Sequence, residues 1–170
     1  MIDETLLRLV RHNTWANLQL LAFCARLPED QLAWTTPGVY GTVQATLQHT
    51  INAEHGYLFA LTGENPPGGM LKPGTALPLA GLTTRAASNG ERLERVLGLA
   101  FEPQRVITRR NGGKATAAII VAQYIHHGSD HRAHVGTILG AHGVEPPLDA
   151  QGSSFDLWGY GSTIGEVTRP

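Results

Sequence analysis

The sequence predicts an all-α fold, a four-helix bundle with a small β-ribbon between helices 3 and 4 and an irregular C-terminal tail. Four segments repeat apolar residues at spacings of three and four, which is typical of amphipathic helices. Gly- and Pro-rich stretches separate these segments. With 170 residues the chain is long enough for one core, so we expect a single domain over 1–170.

The first two helices are bounded by residues that favour helix ends. Helix 1 is expected over about 3–26, with Asp3 as N-cap, and Pro28 follows its end. Residues 28–32 allow one further turn. Helix 2 is expected over about 42–62, between the N-cap Thr42 and Gly63.

The second half of the predicted bundle starts after the Gly- and Pro-rich loop 63–78. Helix 3 is expected over about 79–100 and helix 4 over about 116–142. Between them lies a β-branched run with a hairpin-type turn at 111–113, which predicts the two-stranded ribbon. The tail, 144–170, is expected to lie over the bundle without regular structure.

Two glycines lie in the middle of predicted helix 4. Gly128 and Gly136 each cost about 1 kcal/mol relative to Ala in a helix. We therefore expect a compensating reason at both positions, such as the close approach of a neighbouring side chain.

The composition excludes several function classes. Thirteen basic and 14 acidic residues balance to a net charge of −1, which argues against binding to nucleic acid or an acidic membrane. Cys24 is the only cysteine, so there is no disulfide framework, and an inert buried thiol is the favoured interpretation. Without a signal-peptide pattern or a long apolar run, we expect a cytoplasmic protein that acts on a small molecule.

Half of the eight histidines fall within nine residues of predicted helix 4. On a helical wheel His127 and His131 lie about 40° apart, and His134 returns to within about 20° of His127. His126 points elsewhere. Imidazoles one turn apart can turn towards one cation, so the spacing indicates half of a metal site.

The third ligand is expected from another helix. His49 shares a face of helix 2 with small and apolar residues, so it should point inwards. His55 should point away, His12 should occupy a rim position, and Glu54 is expected to be a surface carboxylate. We therefore predict a three-imidazole site of His49, His127 and His131, with a coordination position left open for water or substrate.

Other residues are candidates for the surroundings of this site. His134 is a rival ligand, although pocket lining is the preferred role. Asp130 is equally well explained as an acceptor for a ligand imidazole or as a solvated partner of His126, four residues earlier. Trp15 and Asn17 are candidates for lining the cavity, with simple packing the favoured role of Trp15.

Several short motifs, in order, resemble the DinB/YfiT-like family of metal-binding four-helix bundles, named for a DNA-damage-inducible bacterial protein. They are Trp-Ala-Asn at 15–17, Thr-Pro-Gly at 36–38, Leu-Gln-His at 47–49 and His-Gly-Ser-Asp-His-Arg at 127–132. The resemblance implies that His49, His127 and His131 are the ligand positions. Ala133-His134 stands where the family often has Gly-Gln, which leaves the role of His134 open.

The resemblance also implies a function. It suggests a divalent metal (zinc, nickel or iron), a homodimer, and thiol-dependent transfer or isomerisation, in which the cation favours the deprotonated form of a low-molecular-weight thiol. Thiol-dependent S-transfer is the favoured activity. The alternatives are a metal-dependent hydrolase and a non-catalytic metal- or ligand-binding protein of the stress response. The sequence does not decide which catalytic residues, if any, act beside the metal.

Overall fold

A computed structural model describes residues 3–65, 67–71, 75–99, 101–109, 112–145 and 155–168. In chain order, its elements are α1 (Glu4–Cys24), a 3₁₀ turn (Glu29–Ala33), α2 (Val43–Thr62), α3 (Leu79–Gly98), β1 (Val106–Thr108), β2 (Lys114–Thr116), α4 (Ala117–Ala141) and α5 (Leu157–Thr163). The all-α fold with a small ribbon is confirmed.

Helix caps explain why the predicted bounds of the long helices lie within two residues of the observed ones. The side chains of Asp3, Thr42 and Thr116 each accept a hydrogen bond from the backbone amide three residues on. Gly63 ends α2 in the left-handed region at φ 74°, which glycine adopts without steric cost. These signals are local and can therefore be recognised in the sequence.

The ribbon is a two-stranded antiparallel sheet in the segment where it was predicted. Val106 pairs with Thr116, and Thr108 pairs with Lys114. Gly112, with φ 80°, lies in the turn between the strands. Because β2 runs directly into α4, the ribbon is fixed to the start of that helix.

The core consists of two apolar clusters with a polar layer between them. One cluster contains Leu21, Ile51 and Val135, and the other contains Val10, Leu58, Leu93 and Tyr124. Each of the four long helices contributes buried polar residues between the two clusters. These are Asn13 and Asn17 on α1, Glu54 and His55 on α2, Asn89 on α3 and His131 on α4. The three predicted metal ligands, His49, His127 and His131, lie in or beside this polar layer.

The predicted irregular tail contains a helix, so that part of the prediction is wrong. Asp156 caps α5 by accepting a hydrogen bond from the Gly159 amide at 2.8 Å. Tyr160 is buried against the bundle. A helix of seven residues is too short to show an apolar period, which is why the sequence pattern missed it. The tail residues 146–154 and 169–170 lie outside the described residues.

The expectation for the two glycines of α4 is right at one and wrong at the other. A Cβ at Gly128 would lie 2.2 Å from Oδ1 of Asn13, so α1 and α4 approach too closely there for any side chain. A Cβ at Gly136 would meet nothing within 4 Å. Of these two glycines, Gly128 is the one that packing requires.

Among the described residues, no helix combines the length and apolar character needed to span a bilayer.

Candidate metal centre

Three imidazoles from α2 and α4 converge at one point of the bundle. The Nε2 atom of His127 lies 3.1 Å from Nε2 of His49 and 3.1 Å from Nε2 of His131. His131 is buried, and the other two are half-buried. The group could hold a metal ion, with one ligand nitrogen from each ring and all three nitrogens within 4.8 Å of one another.

Hydrogen bonding alone cannot satisfy both short contacts of His127. A ring nitrogen of neutral imidazole carries either one proton or one lone pair, so Nε2 can take part in one well-aligned hydrogen bond. The second contact at 3.1 Å must then share that proton or lone pair with the first, which leaves at least one of the two hydrogen bonds poorly aligned. A cation between the three nitrogens removes this conflict, because every Nε2 then directs its lone pair at the ion.

The spacing of the nitrogens also fits a cation. Two nitrogens that each lie about 2.0–2.1 Å from one ion are about 2.8–3.4 Å apart at angles between octahedral and tetrahedral. The two Nε2–Nε2 contacts of His127, both 3.1 Å, fall in that range, and the third pair of ligand nitrogens lies within 4.8 Å. The residues present therefore fit a divalent cation with further positions open.

The electrostatic environment keeps the three rings neutral. Burial, as the largest cause, lowers the pKa of His127 to about 4 and also lowers the pKa values of His49 and His131. The neighbouring imidazoles lower the pKa of His127 and His131 further. Neutral imidazole is the form that binds a metal, so the site is prepared for a cation near neutral pH.

His134 lies behind His131, one turn along α4. Its Nδ1 is 3.2 Å from Nδ1 of His131, on the opposite side of that ring from the converging Nε2 atoms. A contact at the second nitrogen fixes the tautomer and the orientation of a ligand imidazole. The structure thus places His134 as a partner of His131.

Asp130 is directed away from the centre. Its carboxylate lies 3.1 Å from Nδ1 of His126, and both side chains are largely exposed. Of the two roles expected for Asp130, this contact matches the solvated acid–base pair with His126.

His12 and Trp15 lie in an aromatic cluster that holds the tail. Nε2 of His12 is 3.0 Å from the carbonyl oxygen of Phe155, and Trp15 packs edge-on against the Phe155 ring at 5.9 Å. Tyr160 contacts both side chains. Their observed contacts are with the tail, whereas both were predicted to be candidates for the pocket or its surroundings.

Asn17 does line a small cavity beside His131. The cavity measures about 10 Å³, and Thr50 and Arg132 also border it. Nδ2 of Asn17 donates a hydrogen bond of 2.8 Å to Glu54. Asn17 therefore connects the surroundings of the metal centre with the polar layer.

Glu54 is buried at the centre of the polar layer, so its prediction as a surface carboxylate is wrong. One carboxylate oxygen accepts from Asn13 at 2.9 Å and from Asn17, and the other accepts from Asn89 at 3.1 Å. The Tyr124 hydroxyl faces the same carboxyl without a well-formed hydrogen bond among the described residues. Helix α2 packs against several neighbours and has no single solvent face, which the helical wheel did not anticipate.

Arg132 joins this layer through the same asparagines. Its Nη1 donates to Oδ1 of Asn13 and to Oδ1 of Asn17, both at 2.7 Å. Burial raises the pKa of Glu54 to about 7 against the opposing amide donors, and burial lowers the pKa of Arg132 to about 10. The side-chain amides of Asn13 and Asn17 thus lie between the buried carboxyl of Glu54 and the guanidinium of Arg132. Arg132 directly follows the candidate ligand His131.

His55 is also buried, in contrast to the prediction that it points away. Its Nδ1 lies 3.1 Å from Nη1 of Arg85, which also donates to the Gly69 carbonyl. Burial first, and then the nearby Arg85 and Arg92, lower the pKa of His55 to about 4. His55 is therefore a neutral acceptor between α2 and α3, separate from the metal centre.

Two tyrosines that the sequence analysis did not single out flank the centre. Tyr40 stacks on His49 with ring centroids 4.0 Å apart and remains half exposed. Tyr57 meets the His127 ring edge-on at 5.8 Å. An aromatic residue just before the N-cap of the helix that carries His49 is a signal that could have indicated Tyr40.

Cys24 is fully buried, as expected. Burial raises the pKa of its thiol to about 12, so the side chain is protonated and enclosed at neutral pH. It is therefore inert as a nucleophile.

The whole-chain comparison agrees with these features. The model of the DinB family matches residues 1–156, which include the four long helices and all three converging histidines. No curated protein matches the chain. Since the match covers most of the 170 residues, the chain belongs to the DinB family.

Proposed function

We propose that His49, His127 and His131 bind a divalent metal ion and that the protein is a metal-dependent enzyme, in the first instance a thiol-dependent S-transferase. The observation that carries the proposal is the pair of 3.1 Å Nε2–Nε2 contacts at His127, because protons alone cannot satisfy both. Zinc, nickel and iron are the candidate ions, since three imidazoles suit several first-row metals.

The surrounding residues support a site that is open to substrate. Three protein ligands leave coordination positions free, as in catalytic rather than structural sites. Tyr40 covers one face of His49 while half exposed, so the centre lies at the surface. A bound divalent cation would favour the deprotonated form of a thiol, or of a water molecule, at neutral pH.

The chain's own residues would position the reaction. His134 fixes the orientation of His131 through its Nδ1. Tyr40 stacks its ring on His49, and Tyr57 meets the His127 ring edge-on. Both tyrosines would exclude water from one side of a bound substrate. No side chain beyond the three imidazoles is required to hold the cation.

Metal content tests the ligand assignment. The protein is purified without chelator or affinity metal, and its metal per chain is measured by elemental analysis. We expect near-complete loss in His49→Ala, His127→Ala and His131→Ala, and full retention in the matched control His126→Ala, whose side chain is exposed. Full metal in all three ligand variants, with loss in His134→Ala, would overturn the assignment.

Turnover separates the functional alternatives. We expect consumption of a reactive electrophile such as 1-chloro-2,4-dinitrobenzene only when a small thiol is added. Turnover of an ester substrate without thiol would instead indicate a hydrolase. Tight metal binding without turnover in either assay would indicate a non-catalytic metal-binding protein.

We also propose that the protein is a homodimer in the cytoplasm, as the family resemblance implies. Light scattering of the purified protein should give twice the chain mass of 18.3 kDa. A mass of one chain across the accessible concentration range would contradict the dimer.

A further inference from the structure

A surface groove starts beside the three-histidine centre and runs between α2, α4 and the β-ribbon. Its volume is about 670 Å³, within the range of about 300–1,000 Å³ that is typical of small-molecule sites. Tyr57 lines the groove, and its ring also contacts His127. The inner end of the groove therefore adjoins the metal centre.

The groove exists because α2 presents small residues along it. Ala53, Gly56 and Ala60 follow one another at spacings of three and four, so they share one helix face. A Cβ placed on Gly56 would meet nothing within 4 Å. On the opposite wall, Ile119 of α4 is 61% exposed, and Ile120 completes an apolar lining.

The outer end of the groove is polar and basic. Thr108 and Arg109 of the hairpin lie there, whereas Gln123 lines the groove one turn before His127 on α4. None of the ion pairs in the described part of the chain involves Arg109. A guanidinium offers paired donors that match a carboxylate, so this end is complementary to an organic anion.

A second groove of the molecule lacks these properties. It lies between α1, α3 and α4 and measures about 800 Å³. The ionisable side chains in its lining are Asp3 and His126. Its lining therefore has no guanidinium to receive an anion, and it lacks Tyr57, the residue that joins the first groove to His127.

We propose that the groove between α2, α4 and the ribbon binds an elongated organic carboxylate. Its aromatic or branched apolar body lies along Ala53, Gly56 and Ala60, its carboxylate lies at Arg109, and its far end reaches the three-histidine centre. This proposal deepens the proposed function by naming the class of substrate. Only the identification of the ligand as a substrate rests on the proposed function.

Fluorescence titration with two matched probes tests the binding site. Dansylglycine and dansylamide share one apolar fluorophore, and only dansylglycine carries a carboxylate. We expect the metal-free protein to bind dansylglycine about tenfold more tightly than dansylamide, as a charge-assisted hydrogen bond would give. Equal affinities would overturn the assignment of an anion to the groove.

Three variants locate the probe. Gly56→Leu places a side chain in the groove from a Cβ that meets nothing within 4 Å, and we expect it to weaken dansylglycine binding at least about tenfold, whereas Gly140→Leu should have no effect. Gly140 is a matched control because it is an exposed glycine of α4 where a Cβ also meets nothing within 4 Å. Arg109→Gln should reduce dansylglycine to the affinity of dansylamide. Unchanged binding in Gly56→Leu would place the probe elsewhere and overturn the inference.

A paramagnetic ion tests the connection to the centre. One equivalent of Cu²⁺ should broaden the proton NMR lines of bound dansylglycine, and His127→Ala should remove the broadening while the probe still binds. Binding without broadening, in protein shown to hold the Cu²⁺, would separate the groove from the centre and overturn the substrate assignment. If the protein held no Cu²⁺, the proposed metal function would fail, whereas the groove would still be judged by the fluorescence titrations.

Discussion

The buried polar layer and the three-histidine centre are neighbouring polar clusters that differ in how their atoms are satisfied. In the polar layer, both oxygens of Glu54 accept asparagine amides, and Arg132 donates to two of the same asparagines. In the centre, three ring nitrogens face one another without an acceptor that could serve both contacts of His127. The layer thus supplies partners for the Glu54 carboxyl from within the chain, whereas the centre could hold a metal ion.

This difference separates structural from functional polarity in the bundle. Donors and acceptors that pair across helices, such as those around Glu54 and Arg132, fix which faces of α1, α2, α3 and α4 meet. In the centre, by contrast, the three converging imidazole nitrogens have no favourable arrangement of protons until a ligand binds. Mutations in the two clusters should therefore affect different quantities: the free energy of unfolding in one, and metal affinity in the other.

The largest effect is expected from removing the carboxyl of the polar layer. Glu54→Leu leaves three amide donors without their acceptor and removes the carboxylate whose charge favours the guanidinium of Arg132, so we expect a loss of about 3–5 kcal/mol in the free energy of unfolding, measured with urea. Glu54→Gln keeps the shape and should lose less, about 1 kcal/mol. Equal stability of Glu54→Leu and the wild type would show that the layer contributes nothing to folding.

The pH dependence of stability should reveal the same carboxyl. Its folded-state pKa of about 7 exceeds its ordinary value of 4.5, so the folded state holds the proton more tightly than the unfolded chain. The resulting stabilisation is present below about pH 4.5 and is lost as the pH rises towards about 7. Relative to Glu54→Gln, the wild type should lose up to about 3 kcal/mol over this range.

Urea titrations of both proteins between about pH 5 and about pH 8 measure this loss. The histidines are common to both chains, so their contributions largely cancel in the difference. A difference between the two chains that does not change with pH would contradict the raised pKa of Glu54.

The effect of His134 sharpens the description of the centre. His134→Ala removes the partner of the His131 Nδ1, and we expect metal affinity to fall by about 10- to 100-fold without complete loss of binding. Competition with a chromogenic chelator measures the affinity, with His126→Ala as a control. Loss of metal as complete as in His127→Ala would make His134 a ligand.

The smallest effects are expected from the two glycines of α4. Gly128→Ala forces a Cβ against the Asn13 amide, so we expect a net loss of about 1–2 kcal/mol in the free energy of unfolding despite the better helix former. Gly136→Ala meets no neighbour and should gain up to about 1 kcal/mol. Thermal and urea unfolding compare the two, and a stabilised Gly128→Ala would show that the α1–α4 contact is not tight.

The sequence predicted those features of the site that depend on spacing within one helix. His127 and His131 lie one turn apart on α4, and this follows from four residues at about 100° each. The inward direction of His49 and the caps at Thr42 and Thr116 were equally local. These predictions agree with the structure because hydrogen bonds and side-chain directions within a helix do not depend on its neighbours.

The same reasoning failed at Glu54 and His55, on the same helix as His49. A helical wheel assigns polar residues opposite the apolar stripe to solvent, but α2 is packed by other helices on more than one side. Whether such a residue is buried depends on the partners that neighbouring helices supply. Asn13, Asn17 and Asn89 provide these for Glu54, and Arg85 provides one for His55.

By itself, therefore, the sequence determined the helices, their caps, the spacing of the histidine pair and the family resemblance. The tertiary structure decided which nitrogens converge, that His134 backs His131, and that a carboxyl is buried in the core. Periodicity is a property of one helix, whereas satisfaction of a buried polar atom depends on atoms far away in the chain, such as Asn13 for Glu54.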